Sequence, residues 1–360
     1  MYSDCKRIVF VAGGVSGGGA ERVVCELSNY FITLKYHVTI ITTSDDKASY
    51  ILDSGIERVM LIQKSERRNF IYNCLIRLKR LKNYIKKNPY SNYVGFLPIT
   101  TLMLLLYRKL IKGNVVISER SDPQRYNWLI QKLLYKYTSK ADFAVFQTEN
   151  VKKIYEMKNP SINGIVIPNS VKVGIQNKMS IINREKKIVS VGRLETVKNQ
   201  AVLIRAFSII AKEFSEFTLH FYGDGEQKDN LIQLTKNLFL SDRVYFHNFS
   251  KNIYNEICNS AIFVLSSNHE GMPNSLMEAM AIGITCIATN CPSGGVASLI
   301  HDGINGVLVP VDDEIALANA MRFVISNPNK ANELAKEAMK IVDYYSPEII
   351  NKQWLGVILN

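Results

Sequence analysis

The sequence predicts an α/β protein built from two doubly wound parallel sheets. Three observations predict it. A strand, a turn and a helix follow one another at residues 7–31 and again from residue 187. Short apolar runs recur down the chain with amphipathic helical spacing between them. The 360 residues exceed one ordinary domain and suit two. Strands alternating with helices imply parallel strands whose crossovers cover both sheet faces.

The first half opens with the apolar run Arg7-Ile8-Val9-Phe10-Val11, a strand that ends at Ala12-Gly13-Gly14. The glycine-rich turn Val15-Ser16-Gly17-Gly18-Gly19 follows, then a helix from Ala20 carrying Val23, Val24, Leu27, Tyr30 and Phe31 on one face. Residues 37–42 are a second strand, and 59–62, 93–97, 115–118 and 143–147 are further strands with helices between them. The apolar stretch 94–107 is broken by Pro98, Thr100 and Thr101 and falls short of the ~18 residues of a membrane span, so it reads as a buried strand and a buried helix. The run 164–169 closes the half, and the polar, aperiodic stretch 170–184 reads as a linker.

The second half starts over with a strand at 187–192 and an amphipathic helix at 199–214. Strands follow at 217–222, 243–247, 261–266, 285–289 and 306–309, with helices at 275–282 and 314–326 and a last helix at 347–359 that carries Trp354. The domains expected are 1–171, with 346–360 packing back on it, and 172–345. Ligands of such sheets bind outside the carboxyl ends of the strands.

Hydrophobic residues make up 47% and charged residues 21%, which excludes a disordered or fibrous chain. Cys5, Cys25, Cys74, Cys258, Cys286 and Cys291 are scattered without metal or redox spacing, and the first residues do not pattern as a signal peptide. Both point to a reducing, cytoplasmic setting. The net charge of +12 is uneven: residues 1–172 hold 27 Lys/Arg against 13 Asp/Glu, and residues 173–360 hold 17 against 19. A basic first half suits an anionic partner. Residues 63–88 set Arg67, Arg68, Arg77, Lys79, Arg80, Lys82, Lys86 and Lys87 beside Ile71, Leu75, Leu78, Leu81 and Ile85 at helical spacing. That pattern suits an anionic membrane surface, with an ordinary lysine-rich surface helix as the other reading. No nucleic-acid-binding motif accompanies the charge.

Three segments carry chemistry. Gly17-Gly18-Gly19 before a helix lets backbone N–H groups approach an anion, although it lacks the GxGxxG dinucleotide spacing and serves equally as a packing turn. Asp45 and Asp46 lie too far along to be the usual ribose partner of a nicotinamide protein. At the end of the strand 187–192, Arg193 and Lys198 stand on one turn, as a diphosphate site needs or as a solvated turn allows. After the strand 261–266 come Glu270, then Gly271-Met272-Pro273-Asn274-Ser275-Leu276, then Glu278. One carboxylate stands in the loop and the other one turn inside the helix, with helix-start N–H groups between them able to hold phosphate.

Together with 16–22, 118–123, 222–226 and 303–310, these segments resemble the family-4 retaining glycosyltransferases of GT-B architecture. Within that family they look most like bacterial members that build capsule, O-antigen or N-glycan oligosaccharides on polyprenyl diphosphate. The resemblance runs from about residue 7 to the end. It implies two domains facing a central cleft and transfer of a hexose or N-acetylhexosamine from a UDP-sugar to a saccharide acceptor, with GDP left open as the nucleotide. By position it implies that Arg193 and Lys198 neutralise the leaving diphosphate, Glu270 contacts the donor sugar and Glu278 the ribose. It further implies that the amides from Gly271 to Ser275 cradle phosphate and sugar, that Gly223 and its neighbours, with Phe249 or Ser250, flank the base, and that Gly18 and Gly19 close on the diphosphate. The final helix would cross back onto the first domain. Arg120 stands where many relatives carry a histidine; it could meet an acceptor phosphate or pair with Glu119 or Asp122. Asp312-Asp313 and Asp224-Gly225-Glu226 read as a helix start and a turn rather than a metal site, so no metal and no other cofactor is expected. The expected location is the inner face of the cytoplasmic membrane. The alternatives are a nucleotide-sugar epimerase of the same fold and a nicotinamide-dependent dehydrogenase.

Overall fold

The computed structural model describes residues 7–15, 19–43, 50–171, 183–250 and 252–360. Ser16, Gly17, Gly18, Asp45, Asp46, Cys5 and the linker stretch 172–182 lie outside the described residues. The chain divides into two units, Met1–Ser170 with Glu348–Asn360, and Val171–Pro347.

The first unit contains β1 (Arg7–Ala12), α1 (Gly19–Thr33), β2 (His37–Thr42), β3 (Glu57–Met60), α2 (Phe70–Lys87), β4 (Asn92–Phe96), α3 (Pro98–Leu106), β5 (Val115–Glu119), α4 (Trp128–Tyr137), β6 (Phe143–Phe146), α5 (Glu149–Lys158) and β7 (Gly164–Val166). Its seven strands run parallel in the order β3-β2-β1-β4-β5-β6-β7, so the winding reverses between β1 and β4. Ile8 to Val11 are fully buried because β1 is central and covered on both faces. On one face Val9, Val11, Tyr93, Val115 and Ile117 pack with Leu81, Ile85, Leu104, Leu134 and Tyr155. On the other, Phe10 packs against Phe31 and Phe96. The stretch 94–107 is β4 followed by α3, separated at Leu97 (φ 72°), with Pro98 at the first helical position where its missing N–H costs nothing.

The second unit contains β8 (Glu185–Val191), α6 (Gln200–Ile210), β9 (Thr218–Tyr222), α7 (Lys228–Asn237), β10 (Val244–His247), α8 (Ile253–Ile257), β11 (Ser260–Leu265), α9 (Asn274–Ala281), β12 (Thr285–Thr289), β13 (Val307–Val309), α10 (Glu314–Ser326), α11 (Pro328–Met339) and α12 (Ile341–Tyr344). The strand order is β10-β9-β8-β11-β12-β13, all parallel, with the reversal between β8 and β11. One face buries Val202, Phe207, Leu317 and Met321, and the other buries Leu276, Met277, Met280 and Ile341. α13 (Pro347–Leu359) then returns to the first unit, where Trp354 stacks on Phe96 at 5.7 Å and Asn114 donates to the Ile358 carbonyl at 3.2 Å.

The structure shifts some expected boundaries. The helix expected over 199–214 ends at Ile210, and Arg243 donates to the carbonyls of Ala211 and Phe214 beyond it, satisfying groups that a longer helix would have used. Asn199 is left-handed (φ 44°) and starts that helix rather than lying in it. β3 begins two residues before the expected 59–62. No described helix is long and apolar enough to cross a membrane.

Candidate functional site

All six strands of the second sheet run the same way, so their following loops gather at one edge. The loop after β8 holds the predicted cations. Its single 3-10 turn, Thr196–Lys198, ends at the left-handed Asn199, which sends the chain into α6 and returns Lys198 toward the sheet edge. A Cβ at Gly192 would lie 3.8 Å from the Lys198 Cε, so the lysine stem crosses over that glycine. Gly192 itself donates to the Tyr222 carbonyl at 3.0 Å. Gly223 (φ 146°) sits directly against Gly192, and any side chain there would overlap the Gly192 carbonyl. Gly223 in turn donates to the His247 carbonyl at 3.0 Å, so the loops after β8, β9 and β10 are joined through their backbones.

The loop after β11 meets Lys198. The Lys198 ammonium donates to the Glu270 Oε1 at 2.5 Å, with the two side chains 20% and 10% exposed. The Ser267 hydroxyl donates to the same oxygen at 2.6 Å. Ser266 donates to the Lys198 carbonyl at 3.0 Å, and Asn268 N–H donates to the Val197 carbonyl at 2.9 Å. The loop after β12 supports this arrangement from behind. Ser293 donates to the Glu270 carbonyl, and Gly295 packs so closely on Gly271 that a side chain there would overlap its carbonyl. The left-handed Asn199 bridges further, to Asn268 at 3.0 Å and to Asp312 at 2.9 Å beyond β13.

Pro273 precedes α9 and supplies no side-chain cap, so the first amides of the helix are left to other acceptors. Along α9, Leu276, Met277, Ala279 and Met280 are buried, whereas Asn274, Ser275 and Glu278 are half-buried and share one stripe at helical spacing. Gly271 is half-buried, and Met272 and Pro273 are buried beneath the loop. The edge therefore presents a lysine, a glutamate and a helix start, the last of which carries partial positive charge.

The remaining predicted residues stand as follows. Arg193 is 74% exposed on the same turn as Lys198 and pairs with Glu195 at 2.6 Å. Phe249, just past β10, is exposed. Gly19 opens α1 in the first unit. Arg120, just past the end of β5, is 7% exposed. Its Nη1 donates to the Ile167 carbonyl at 3.1 Å, and the guanidinium lies over the rings of Trp354 and Phe96. Glu119 accepts instead from Tyr126, Tyr155 and Ser121, and burial pushes its carboxyl above the ordinary range against the pull of those donors. Burial holds the Arg120 guanidinium down to about 9.

Sequence reasoning missed several contributors: Ser267, Ser293, Asn199 and Glu195. Small polar residues in loops give no periodic signal, and only the folded loops reveal their partners. It also missed a ring ladder on β9 and β10. His220 Nδ1 and His247 Nε2 are 2.9 Å apart, and His220 stacks on Tyr245 and His247 on Tyr222. Burial, with the nearby Lys187 and His247, lowers His220 to about 4. Among the described residues no group of three or more His, Cys, Asp or Glu is placed to hold a metal ion. Asp313 accepts from the Ala316 N–H as the cap of α10.

Residues 174–341 match the family described as Glycosyl transferases group 1. An uncharacterized glycosyltransferase of Haemophilus influenzae is 26% identical over 98% of this chain and 100% of its own length. A Campylobacter jejuni protein is 24% identical over 98% of each chain; its name is GalNAc-alpha-(1->4)-GalNAc-alpha-(1->3)-diNAcBac-PP-undecaprenol alpha-1,4-N-acetyl-D-galactosaminyltransferase. The crystal structure of Anabaena HepE in complex with UDP superposes with a TM-score of 0.83 at 17% identity, covering 98% of this chain and 99% of that one. Residues 174–341 of the second unit thus match the group 1 glycosyl transferases, and the chain is a glycosyltransferase of GT-B architecture.

Proposed function

We propose that the chain moves a hexose or N-acetylhexosamine, with retention, from a UDP-sugar to a saccharide carried on polyprenyl diphosphate during synthesis of a bacterial surface polysaccharide or oligosaccharide. The observation that carries the reading is the Lys198–Glu270 pair, which brings a cation from one strand-end loop to a carboxylate from another beside the start of α9. A nucleoside diphosphate sugar needs that combination: positive charge for the diphosphate and a carboxylate for sugar hydroxyls. The UDP bound to the similar HepE structure and the PP-undecaprenol in the Campylobacter relative's name support the nucleotide and the acceptor.

In this reading the sugar anomeric carbon gains oxocarbenium character as its bond to the diphosphate oxygen breaks. Charge builds on the departing diphosphate. Lys198, Arg193 on leaving Glu195, and the amides of Asn274, Ser275 and Leu276 supply positive charge where that negative charge develops, and donors of this kind lower the barrier most. They supply the stabilisation without a metal. Glu270, held by Lys198 and Ser267 on one oxygen, offers its other oxygen to a donor-sugar hydroxyl. Glu278, on the half-buried stripe of α9, takes the ribose hydroxyls. Gly271, Met272 and Pro273 shape the floor, and Gly223 and Phe249 flank the base. The acceptor hydroxyl attacks from the face the diphosphate leaves, and its proton passes to the leaving phosphate oxygen.

The membrane-bound end of such an acceptor gives the basic unit its role. On α2, Ile71, Leu75, Lys79, Lys82 and Lys86 form one exposed stripe, apolar first and lysine-rich after, with Phe70 at its tip. That stripe suits a peripheral dock on anionic lipid. The test is calorimetric titration of the full chain with UDP and UDP-sugars, followed by UDP-release assays with lipid-diphosphate saccharides. UDP binding that Lys198→Ala abolishes, with turnover needing an acceptor, supports the reading. Turnover of a nucleotide sugar without acceptor contradicts it.

A further inference from the structure

The first unit buries a cluster of N–H donors that have no acceptor among the described residues. Arg120 is 93% buried, by the 7% exposure that remains, and its Nε and Nη2 are both unpartnered. The indole N–H of Trp354, whose ring lies 5.2 Å from the Arg120 guanidinium carbon, is likewise unpartnered and fully buried. Ser118 Oγ, on the same face of β5 as Arg120 and in register with Phe96 on β4, is a further unpartnered group. A buried polar group without a partner calls for a physical explanation.

We propose that these donors beneath α13 bind a small inorganic anion. Two arguments carry it. The first is charge. A buried guanidinium is costly unless something opposes it; the neighbouring Glu119 opposes it through space, but its carboxylate accepts from Tyr126, Tyr155, Ser121 and the Arg120 N–H rather than from the guanidinium. The faces of Trp354 and Phe96 oppose the charge only in part. The second is donor arithmetic. The Arg120 Nε–H and one Nη2–H form a parallel fork, and the indole N–H is a third donor. A water molecule has two lone pairs and cannot accept all three, whereas an anion can and also neutralises the charge.

The site has a structural role that does not depend on the transferase reading. Arg120 Nη1 holds the carbonyl of Ile167, three residues before the chain leaves the first unit. Trp354 belongs to the helix on which the chain returns. A bound anion ties the end of β5 to both segments.

Bromide is the probe. The full chain, exchanged into gluconate, is titrated with bromide at constant ionic strength while its thermal midpoint is followed. A crystal grown in bromide is examined for anomalous scattering. The proposal expects a saturable rise in the midpoint and an anomalous peak in hydrogen-bond reach of Arg120. It expects the rise to vanish in Arg120→Gln. Trp354→Phe keeps the stacked ring and removes one donor, so it reports even where Arg120→Gln does not fold. Its bromide affinity should fall about tenfold or more, the worth of one hydrogen bond to a charge. No saturable rise, an equal rise in both variants, or only water beside Arg120 overturns the proposal. A peak without any stabilisation, an adventitious ion only, also overturns it.

Discussion

Lys198→Ala removes the ammonium that holds Glu270, and the structure allows its two consequences to be separated. The pair is 2.5 Å long and mostly buried. Without Lys198, Glu270 keeps the Ser267 hydroxyl at 2.6 Å and loses its counter-charge. Stranding a partly buried carboxylate costs about 1–3 kcal/mol, which lowers the thermal midpoint by several degrees in a unit of this size. The second consequence is kinetic. Loss of one fixed donor from a charge-developing site costs about 10²–10³ in turnover. Initial rates of UDP release at 25 °C, well below the midpoint and with saturating donor, isolate that loss, and circular dichroism checks that the variant is folded. A folded Lys198→Ala enzyme with a rate within about threefold of the parent refutes the assignment of Lys198 to the leaving diphosphate.

Glu278→Ala should raise the donor KM with a smaller change in kcat, measured by donor titration at fixed acceptor; an unchanged KM removes the ribose role. The fold holds His220 near 4, below its ordinary value, so folding favours the neutral ring. Its contribution is complete above about pH 6.5 and declines as pH falls toward 4, because the unfolded chain takes up the proton first. Thermal midpoints across that window should therefore drop toward acid and drop less in His220→Asn; equal slopes contradict this. Reversing Lys79, Lys82 and Lys86 to Glu should release the protein from anionic vesicles in flotation assays while leaving UDP affinity intact. Unaltered flotation removes the membrane role of α2.

The parts legible in the sequence were those with a period or a local signature. Apolar runs located the strands, because buried parallel strands need continuous apolar residues, as at Ile8 to Val11. The turn from β11 into α9 was legible because loop, proline and helix follow one another directly. What stayed hidden depends on residues far apart in sequence. Arg120 has Asp122 and Glu119 beside it, yet its guanidinium packs on Trp354, because α13 returns over Phe96 and offers an aromatic face. The His220–His247 contact exists only because β9 and β10 are adjacent in one register. Arg193 reads as a diphosphate cation in the sequence and pairs in the fold with Glu195, two residues further on. Asn199 looks like the first residue of a helix. Its left-handed backbone instead ties Asn268 and Asp312 together.

A crystal structure of the chain with UDP bound tests the central claim most directly. The account predicts the diphosphate seated between Lys198, Arg193 and the first amides of α9, with Glu278 on the ribose and Arg193 drawn off Glu195. A diphosphate bound away from that edge, with Glu278 facing solvent, contradicts it.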